Sequence, residues 1–155
     1  MLKAKIKSQV ETIEKLFAKV EERRAPQSSA EWESLAFRLH NLYCAFEDLF
    51  KIVADAFENQ IEEKTRYHAE LLKRMAMEIE GVRPALLSSE TVRLLDNLRS
   101  FRHFFRWAYT SDLDTRKLRL VLEDALSLKN RYRHDVSVFM RRLFESSTTK
   151  QKEGK

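Results

Sequence analysis

Arginines and aromatic rings are concentrated in the stretch "RSFRHFFRWAY", residues 99–109. It holds three arginines, one histidine and five aromatic side chains in eleven positions. A guanidinium group can bind two phosphate oxygens at once, and an imidazole can move protons near neutral pH. These side-chain types could bind and cleave a phosphodiester. The same arginines could instead lie on a solvated face near the end of a helix, where they complement the helix dipole.

On a helix, this stretch and the residues before it divide into distinct surfaces at 100° per residue. The predicted core face consists of Leu94, Leu98, Phe101, Phe105 and Ala108. The predicted polar strip consists of Arg99, Arg102, Arg106 and Tyr109, with His103 at its edge. Phe104 and Trp107 lie on neither surface. Because two large exposed rings are unfavourable in water, we predict that they form a partner surface.

The elements that position this stretch follow from apolar residues recurring at the helical period. Helices are predicted at 3–24, 30–63, 64–80, 90–109 and 115–145. Ser28 and Glu31 are spaced as a capping box for the second helix, and Gly81 is expected to terminate the third. Ser88 or Ser89 and an aspartate of "TSDLD" are expected to cap the last two helices. The sequence therefore predicts an all-α, up-and-down bundle of four to five helices.

Length and composition indicate one domain at 1–145, followed by a tail at 146–155 without apolar residues that is predicted to be disordered. The single cysteine, Cys44, excludes an intramolecular disulfide and suits a reducing cytoplasm. No run of about 20 apolar residues is present, and the charged N-terminus is unlike a secretory signal. We therefore expect a cytoplasmic protein with no membrane association.

The formal net charge of +5 weakly favours a polyanionic partner. The sequence has no glycine-rich phosphate loop, no histidine pair at metal-ligand spacing and no cysteine pair, so neither a metal nor a cofactor is expected. Cys44 is predicted to be inert core packing, and His40, His68 and His134 are predicted to be structural. Arg131, Arg133 and His134 could extend an RNA surface, but a solvated face is the interpretation we favour.

The segment "FRHFFRWAY" resembles the signature of the HepT-type toxins, which belong to the HEPN superfamily of all-α ribonucleases. That signature is an arginine, four residues, a histidine, one residue and a tyrosine, with a polar residue after the arginine. Arg102, His103 and Tyr109 occupy the arginine, polar and tyrosine positions. The histidine position holds Trp107, which is where this sequence departs from the pattern.

The resemblance implies a HEPN-like fold, a symmetric homodimer and a metal-independent endoribonuclease that cleaves cellular RNA. Its catalytic positions would be Arg102 and residue 107, while Arg99, His103 and Arg106 would bind RNA phosphates. It also implies an antitoxin partner, an MntA-type nucleotidyltransferase, that transfers AMP from ATP onto Tyr109. Such a chain would be the toxin component of a toxin–antitoxin pair.

Trp107 limits what the resemblance implies, because indole cannot exchange a proton near pH 7. We therefore predict that catalysis by this chain is impaired. His103 lies one helical turn away, about 5.4 Å along the axis, and is predicted to orient groups or bind phosphate rather than replace the missing histidine. One alternative is a non-catalytic HEPN module that binds RNA or a nucleotidyltransferase. Another is a structural adaptor that dimerises through its aromatic patch.

Overall fold

The computed structural model describes residues 1–57, 67–106 and 113–153, and it describes side chains within 1–57, 67–101 and 113–145. Five helices are present in these ranges: α1 (Leu2–Glu21), α2 (Ser29–Phe57), α3 (Tyr67–Met75), α4 (Ser89–Arg106) and α5 (Thr115–Glu153). The only pairing of β type among the described residues is an isolated bridge between Ile79 and Arg83. The predicted all-α class is confirmed.

Contacts at both ends of α1 show that α2 runs antiparallel to it. Near the start of α1, the side-chain amide of Gln9 donates to the carbonyl of Ala45, at 2.8 Å. At its end, Glu22 accepts a hydrogen bond from Arg38 at 2.9 Å. The helix α2 begins with the cap that the sequence predicted, because the Ser28 hydroxyl accepts the backbone N–H of Glu31.

The last helix, α5, is antiparallel to α1. Lys129 lies 2.8 Å from Glu21 near the end of α1, whereas Lys3 at its start lies over the ring of Phe144. It is also antiparallel to α4, because Asn97 donates to Asp124 while the start of α4 contacts Asp135. The up-and-down arrangement is therefore confirmed, and the end of α4 lies at the same end of the bundle as the start of α5.

Aromatic rings from three helices occupy the centre of the core. Phe17 stacks on Tyr132 with centroids 5.4 Å apart, and Phe46 meets both rings edge-on at 6.0 and 5.1 Å. Such pairs contribute about 0.5–1.5 kcal/mol each beyond their area burial. The side chains predicted to form apolar stripes in α1, α2 and α5 are almost all buried, with Val10, Trp32, Phe57 and Leu143 half-buried at the edges.

The end of α3 differs from the prediction. This helix ends at Met75 rather than at residue 80, and the backbone N–H groups of Leu86 and Leu87 both donate to the Met75 carbonyl. Gly81 therefore does not terminate the helix. It lies in the turn closed by the bridge between Ile79 and Arg83, with φ of 75°. The predicted helical residues 58–66 lie outside the described residues.

The helix α5 extends beyond its predicted end at residue 145. Its backbone is helical to Glu153, through most of the tail for which disorder was predicted. Residues 146–153 contain neither glycine nor proline, and the next residue is Gly154. Polar residues of this kind weaken a helix by only a few tenths of a kcal/mol each, roughly, so their polarity alone does not end one.

Candidate functional site

The start of α4 is anchored to α5 through Asp135. The backbone N–H of Ser88 donates to the Asp135 carboxylate at 2.9 Å, and the buried hydroxyl of Thr91 donates to the same group. The Ser88 hydroxyl also accepts the N–H of Thr91 at 3.3 Å, so Ser88 is the cap that the sequence predicted. These bonds fix the position and direction of the helix that carries the motif.

The core face of α4 agrees with the prediction as far as it is described. Leu94, Leu98 and Phe101 are buried. The side chain of Phe105 and the whole of Ala108 lie outside the described residues. On the flank next to the core face, the Asn97 amide donates to Asp124 of α5 at 2.9 Å. The helix therefore presents the predicted side to the core.

Arg99 is the one predicted phosphate-binding residue with a described side chain. Its Nε donates to Asp96 Oδ1 at 2.8 Å, and the Arg99 side chain is 29% exposed. Because the Asp96 side chain is 51% exposed, this ion pair contributes about 1 kcal/mol or less. A phosphate could therefore displace Asp96 at little cost.

The motif itself is described only in part. The backbone of Arg102, His103 and Arg106 continues α4, and their side chains lie outside the description. Trp107 and Tyr109 lie outside the described residues altogether, and Phe104 is described only in its backbone. Arg102 lies three residues after Arg99, and Arg106 lies seven residues after Arg99. These spacings place the three Cα atoms on one flank of α4.

Positively charged residues from neighbouring elements lie at the same end of the bundle. Asp114 caps α5 by accepting the backbone N–H groups of Arg116 and Lys117, at 3.1 and 3.3 Å, which confirms the predicted aspartate cap. The side chains of Arg116 and Lys117 are exposed. The guanidinium of Arg119 lies 5.3 Å from the ring centroid of Trp32, which joins the start of α5 to the start of α2.

Sequence reasoning missed a buried carboxylate that joins α2 to α3. The Glu47 side chain is 4% exposed, and its Oε1 lies 2.8 Å from Nδ1 of His68. His68 therefore has the structural position that was predicted for it. An acidic residue at a core position of one helix and a histidine in the next helix are only a weak indication of such a pair, because the sequence does not specify which helices are in contact.

Three other expectations about single residues were tested by the structure. Cys44 is half-buried rather than in the core, and its Sγ lies 3.7 Å from Nε2 of His40 on the same helix. Arg133 is not simply solvated, because it binds Glu14 of α1. His134 is exposed on α5.

Within the described side chains, no group of three or more histidine, cysteine, aspartate or glutamate residues could hold a metal ion. None of the described helices has the length and apolar character needed to cross a bilayer.

A family model described as HepT-like protein matches residues 34–143, more than two thirds of the chain. The matched range begins within α2, includes positions 102–109 and ends within α5. No curated protein matches the chain, and no solved structure does.

Proposed function

Since the chain belongs to the family of HepT-like proteins, a HEPN family, we propose that it is the toxin component of a toxin–antitoxin pair. Its proposed chemistry is metal-independent cleavage of cellular RNA. The observation that carries the proposal is the family match, because its range contains the motif positions Arg102, 107 and Tyr109. The exposed cations at the start of α5 and the weakly held Arg99 support it.

The proposed reaction needs two kinds of side chain. The ribose 2′-hydroxyl attacks the adjacent phosphorus, and the bond from phosphorus to the 5′-oxygen of the next nucleotide breaks. Negative charge develops on the phosphoryl oxygens, and Arg102 would stabilise it. Arg99, His103 and Arg106 would hold neighbouring phosphates. A general acid–base group must also take the 2′-hydroxyl proton and return one to the leaving oxygen.

Trp107 stands where the family signature has that acid–base group. Loss of a general acid–base residue lowers a rate by about 10²–10⁴-fold. We therefore propose that this chain cleaves RNA poorly and that the scaffold is otherwise suited to the reaction.

Tyr109 is the proposed site of neutralisation. An MntA-type nucleotidyltransferase would transfer AMP from ATP to the tyrosine hydroxyl, releasing pyrophosphate. The attached phosphate would add negative charge and bulk near Arg102, where RNA phosphate must bind. Modified protein should therefore bind RNA more weakly than unmodified protein.

The decisive experiment compares RNA cleavage by the native chain with cleavage by Trp107→His in the presence of EDTA. We expect the variant to be faster by about 10²-fold or more, because an imidazole supplies the proton acceptor and donor. Adding Arg102→Ala should abolish the gain. Adding Arg93→Ala should not, because Arg93 lies on the same helix but pairs with Glu90 away from the motif.

A second candidate function is a non-catalytic HEPN module, and the observation that favours it is Trp107 itself. Such a module would bind RNA or a nucleotidyltransferase without cleaving anything. A Trp107→His variant that folds and binds RNA but does not cleave it would replace the first proposal by this one. RNA binding across a salt series, with Arg102→Ala compared against Arg93→Ala, then tests the phosphate site directly.

A further inference from the structure

A groove of about 730 Å³ lies between the first half of α1 and the later part of α5. Its apolar floor is formed by Val10, Val136, Met140 and Phe144, with Ile6 beneath them. Val10, Met140 and Phe144 are only half-buried, so apolar surface remains open to water along the groove.

Charged side chains form the two edges of the groove. Lys3 and Lys7 of α1 lie on one edge and Arg141 of α5 lies on the other, all exposed. Arg133 also lines the groove, but its charge is balanced by Glu14. Glu11 and Glu145 are the two acidic residues that line the groove.

The register of α1 against α5 places two of the cations opposite each other. Because α1 and α5 are antiparallel, with Lys3 beside Phe144, Lys7 lies at the level of Arg141. Two cations therefore face each other across an apolar floor.

The dimensions suit a helix. The groove is lined by residues 133–145 of α5, about 18 Å at 1.5 Å per residue, so a helix of about 12 residues would span it. Helices pack into the channel between two neighbouring helices by placing side-chain ridges in grooves. A helix laid in a groove is also a common way in which folded domains recognise peptides.

We propose that this groove binds an amphipathic helix of another protein, with an apolar stripe on Met140 and Phe144 and with carboxylates near Lys7 and Arg141. RNA is less suited, because phosphates and sugars do not cover an apolar floor. A second copy seated groove to groove is less suited, because the cations of one groove would then meet the same cations of the other. An acidic partner has the complementary charge.

The groove is separate from the proposed RNA site. Val136 lies 21 residues after the start of α5, about 30 Å along the axis from the end of the bundle that carries the motif. Moreover, α1 lies outside the residues that match the HepT-like family. The proposal therefore does not rest on the ribonuclease assignment, and a helix bound here would leave that end of the bundle open.

The test uses two synthetic 14-residue helical peptides and the full chain. Both carry leucines along one face; one has glutamates on both flanks of that face, and the other has lysines there. Fluorescence anisotropy should show at least tenfold tighter binding of the glutamate peptide at low salt. Lys7→Glu combined with Arg141→Glu should reverse this preference. The matched pair Lys5→Glu and Lys15→Glu, exposed on α1 but outside the groove, should leave the preference unchanged.

A second pair of variants tests the apolar floor. Met140→Asp and Phe144→Asp should each weaken binding of the glutamate peptide at least tenfold, while circular dichroism shows an intact helical fold.

Equal binding of the two peptides by the native chain would overturn the proposal. So would an equal loss of glutamate-peptide binding in the groove pair of variants and in the control pair. Displacement of the peptide by single-stranded RNA would identify a nucleic-acid site instead. A change in mass by light scattering on Lys7→Glu with Arg141→Glu would identify a second copy as the occupant.

Discussion

Glu14 is the acceptor in a small network that joins α1 to α5. The hydroxyl of buried Tyr132 and the guanidinium of Arg133 both donate to its carboxylate, with Arg133 Nε at 2.6 Å. These bonds, first that of Arg133, hold the pKa of Glu14 below its ordinary value. Burial, and then the hydrogen bond to Glu14, raise the pKa of Tyr132 above its ordinary value. The network therefore favours a charged carboxylate beside a neutral phenol.

These two pKa shifts predict stability limits at both ends of the pH scale. The Glu14 contribution is present above its ordinary pKa of 4.5 and lost as pH falls through the lowered value in the folded state. The Tyr132 contribution is present below 10.0 and is lost progressively above it, because the unfolded chain ionises there first. Urea unfolding across pH should show both losses.

Single substitutions separate the two limits. Glu14→Gln should lower the unfolding free energy at pH 7 by about 1 kcal/mol, a modest value because the carboxylate is partly exposed, and should remove the acid-side loss. Tyr132→Phe should remove the loss above pH 10. A native chain whose stability is flat on both sides would contradict the role given to this network.

Arg83 is a buried cation with a structural task. It is 3% exposed, and its guanidinium donates to the carbonyls of Arg74, Met77 and Pro84 at 2.9–3.1 Å. These carbonyls follow the end of α3 or lie in its last turn, where a helix leaves acceptors without intrahelical partners. One side chain therefore ties the last turn of α3 to the turn that follows it.

Replacing Arg83 should destabilise the fold. We expect Arg83→Met to lower the unfolding free energy by about 2 kcal/mol or more, because buried carbonyls lose their donors. Arg83→Lys should recover only part of this, since an ammonium lacks the planar fork. Arg93→Met, at an exposed arginine of α4, is the control and should change stability by less than about 1 kcal/mol. Similar losses for Arg83→Met and Arg93→Met would contradict this account.

At the scale of elements, the turn after α3 decides where the chain re-enters the bundle. Residues 76–88 carry the chain from Met75 to the start of α4, and both Leu86 and Leu87 return to the Met75 carbonyl. Gly81 makes the reversal with φ of 75°, a conformation that a Cβ atom disfavours. No atom of the described residues lies within 4 Å of the position that a Cβ would take, so space is not the constraint.

Substitutions at Gly81 should therefore report backbone strain alone. Gly81→Ala should destabilise the protein by about 1 kcal/mol, because alanine pays the left-handed penalty without a steric clash. Gly81→Asn should cost less, since asparagine visits this region more readily. Thermal unfolding of both variants measures the difference. Alanine tolerated as well as asparagine would indicate that the turn adopts another conformation in solution.

At the scale of the whole molecule, antiparallel packing brings the ends of several elements together. The end of α4, the start of α5 and the connection between α1 and α2 share one end of the bundle. The groove between α1 and α5 extends toward the opposite end. The arrangement therefore separates the proposed RNA site from the proposed helix-binding groove.

We propose that two copies associate through the aromatic patch of Phe104 and Trp107, which the helical period places away from the core face. Light scattering at micromolar concentration should give the mass of a dimer. Phe104→Lys should shift it to a monomer, because a charge would be buried in the contact. Phe37→Lys is the matched control, since Phe37 is 56% exposed on α2. A native chain that is monomeric at this concentration would exclude this interface.

Much of the helical framework could be predicted from the sequence because its causes are local. Most of the apolar residues that follow the helical period in α1, α2 and α5 are buried as predicted. Ser28, Ser88 and Asp114 cap the helices that follow them, since each cap acts on an N–H only two or three residues away. The roles of the motif positions in 102–109 rest on residue types, their spacing and the family resemblance, and they stay a prediction.

Long-range contacts decided the rest. Glu14 and Tyr132 are 118 residues apart, and nothing in either segment specifies the other as its partner. The burial of Arg83, the pairing of Glu47 with His68 and the groove between α1 and α5 likewise depend on which helices pack together. Glycine at position 81 is compatible with a helix terminator and with a tight turn, so the sequence does not distinguish these two roles. Only tertiary packing ended α3 at Met75, since buried carbonyls take whichever donors the folded chain brings to them.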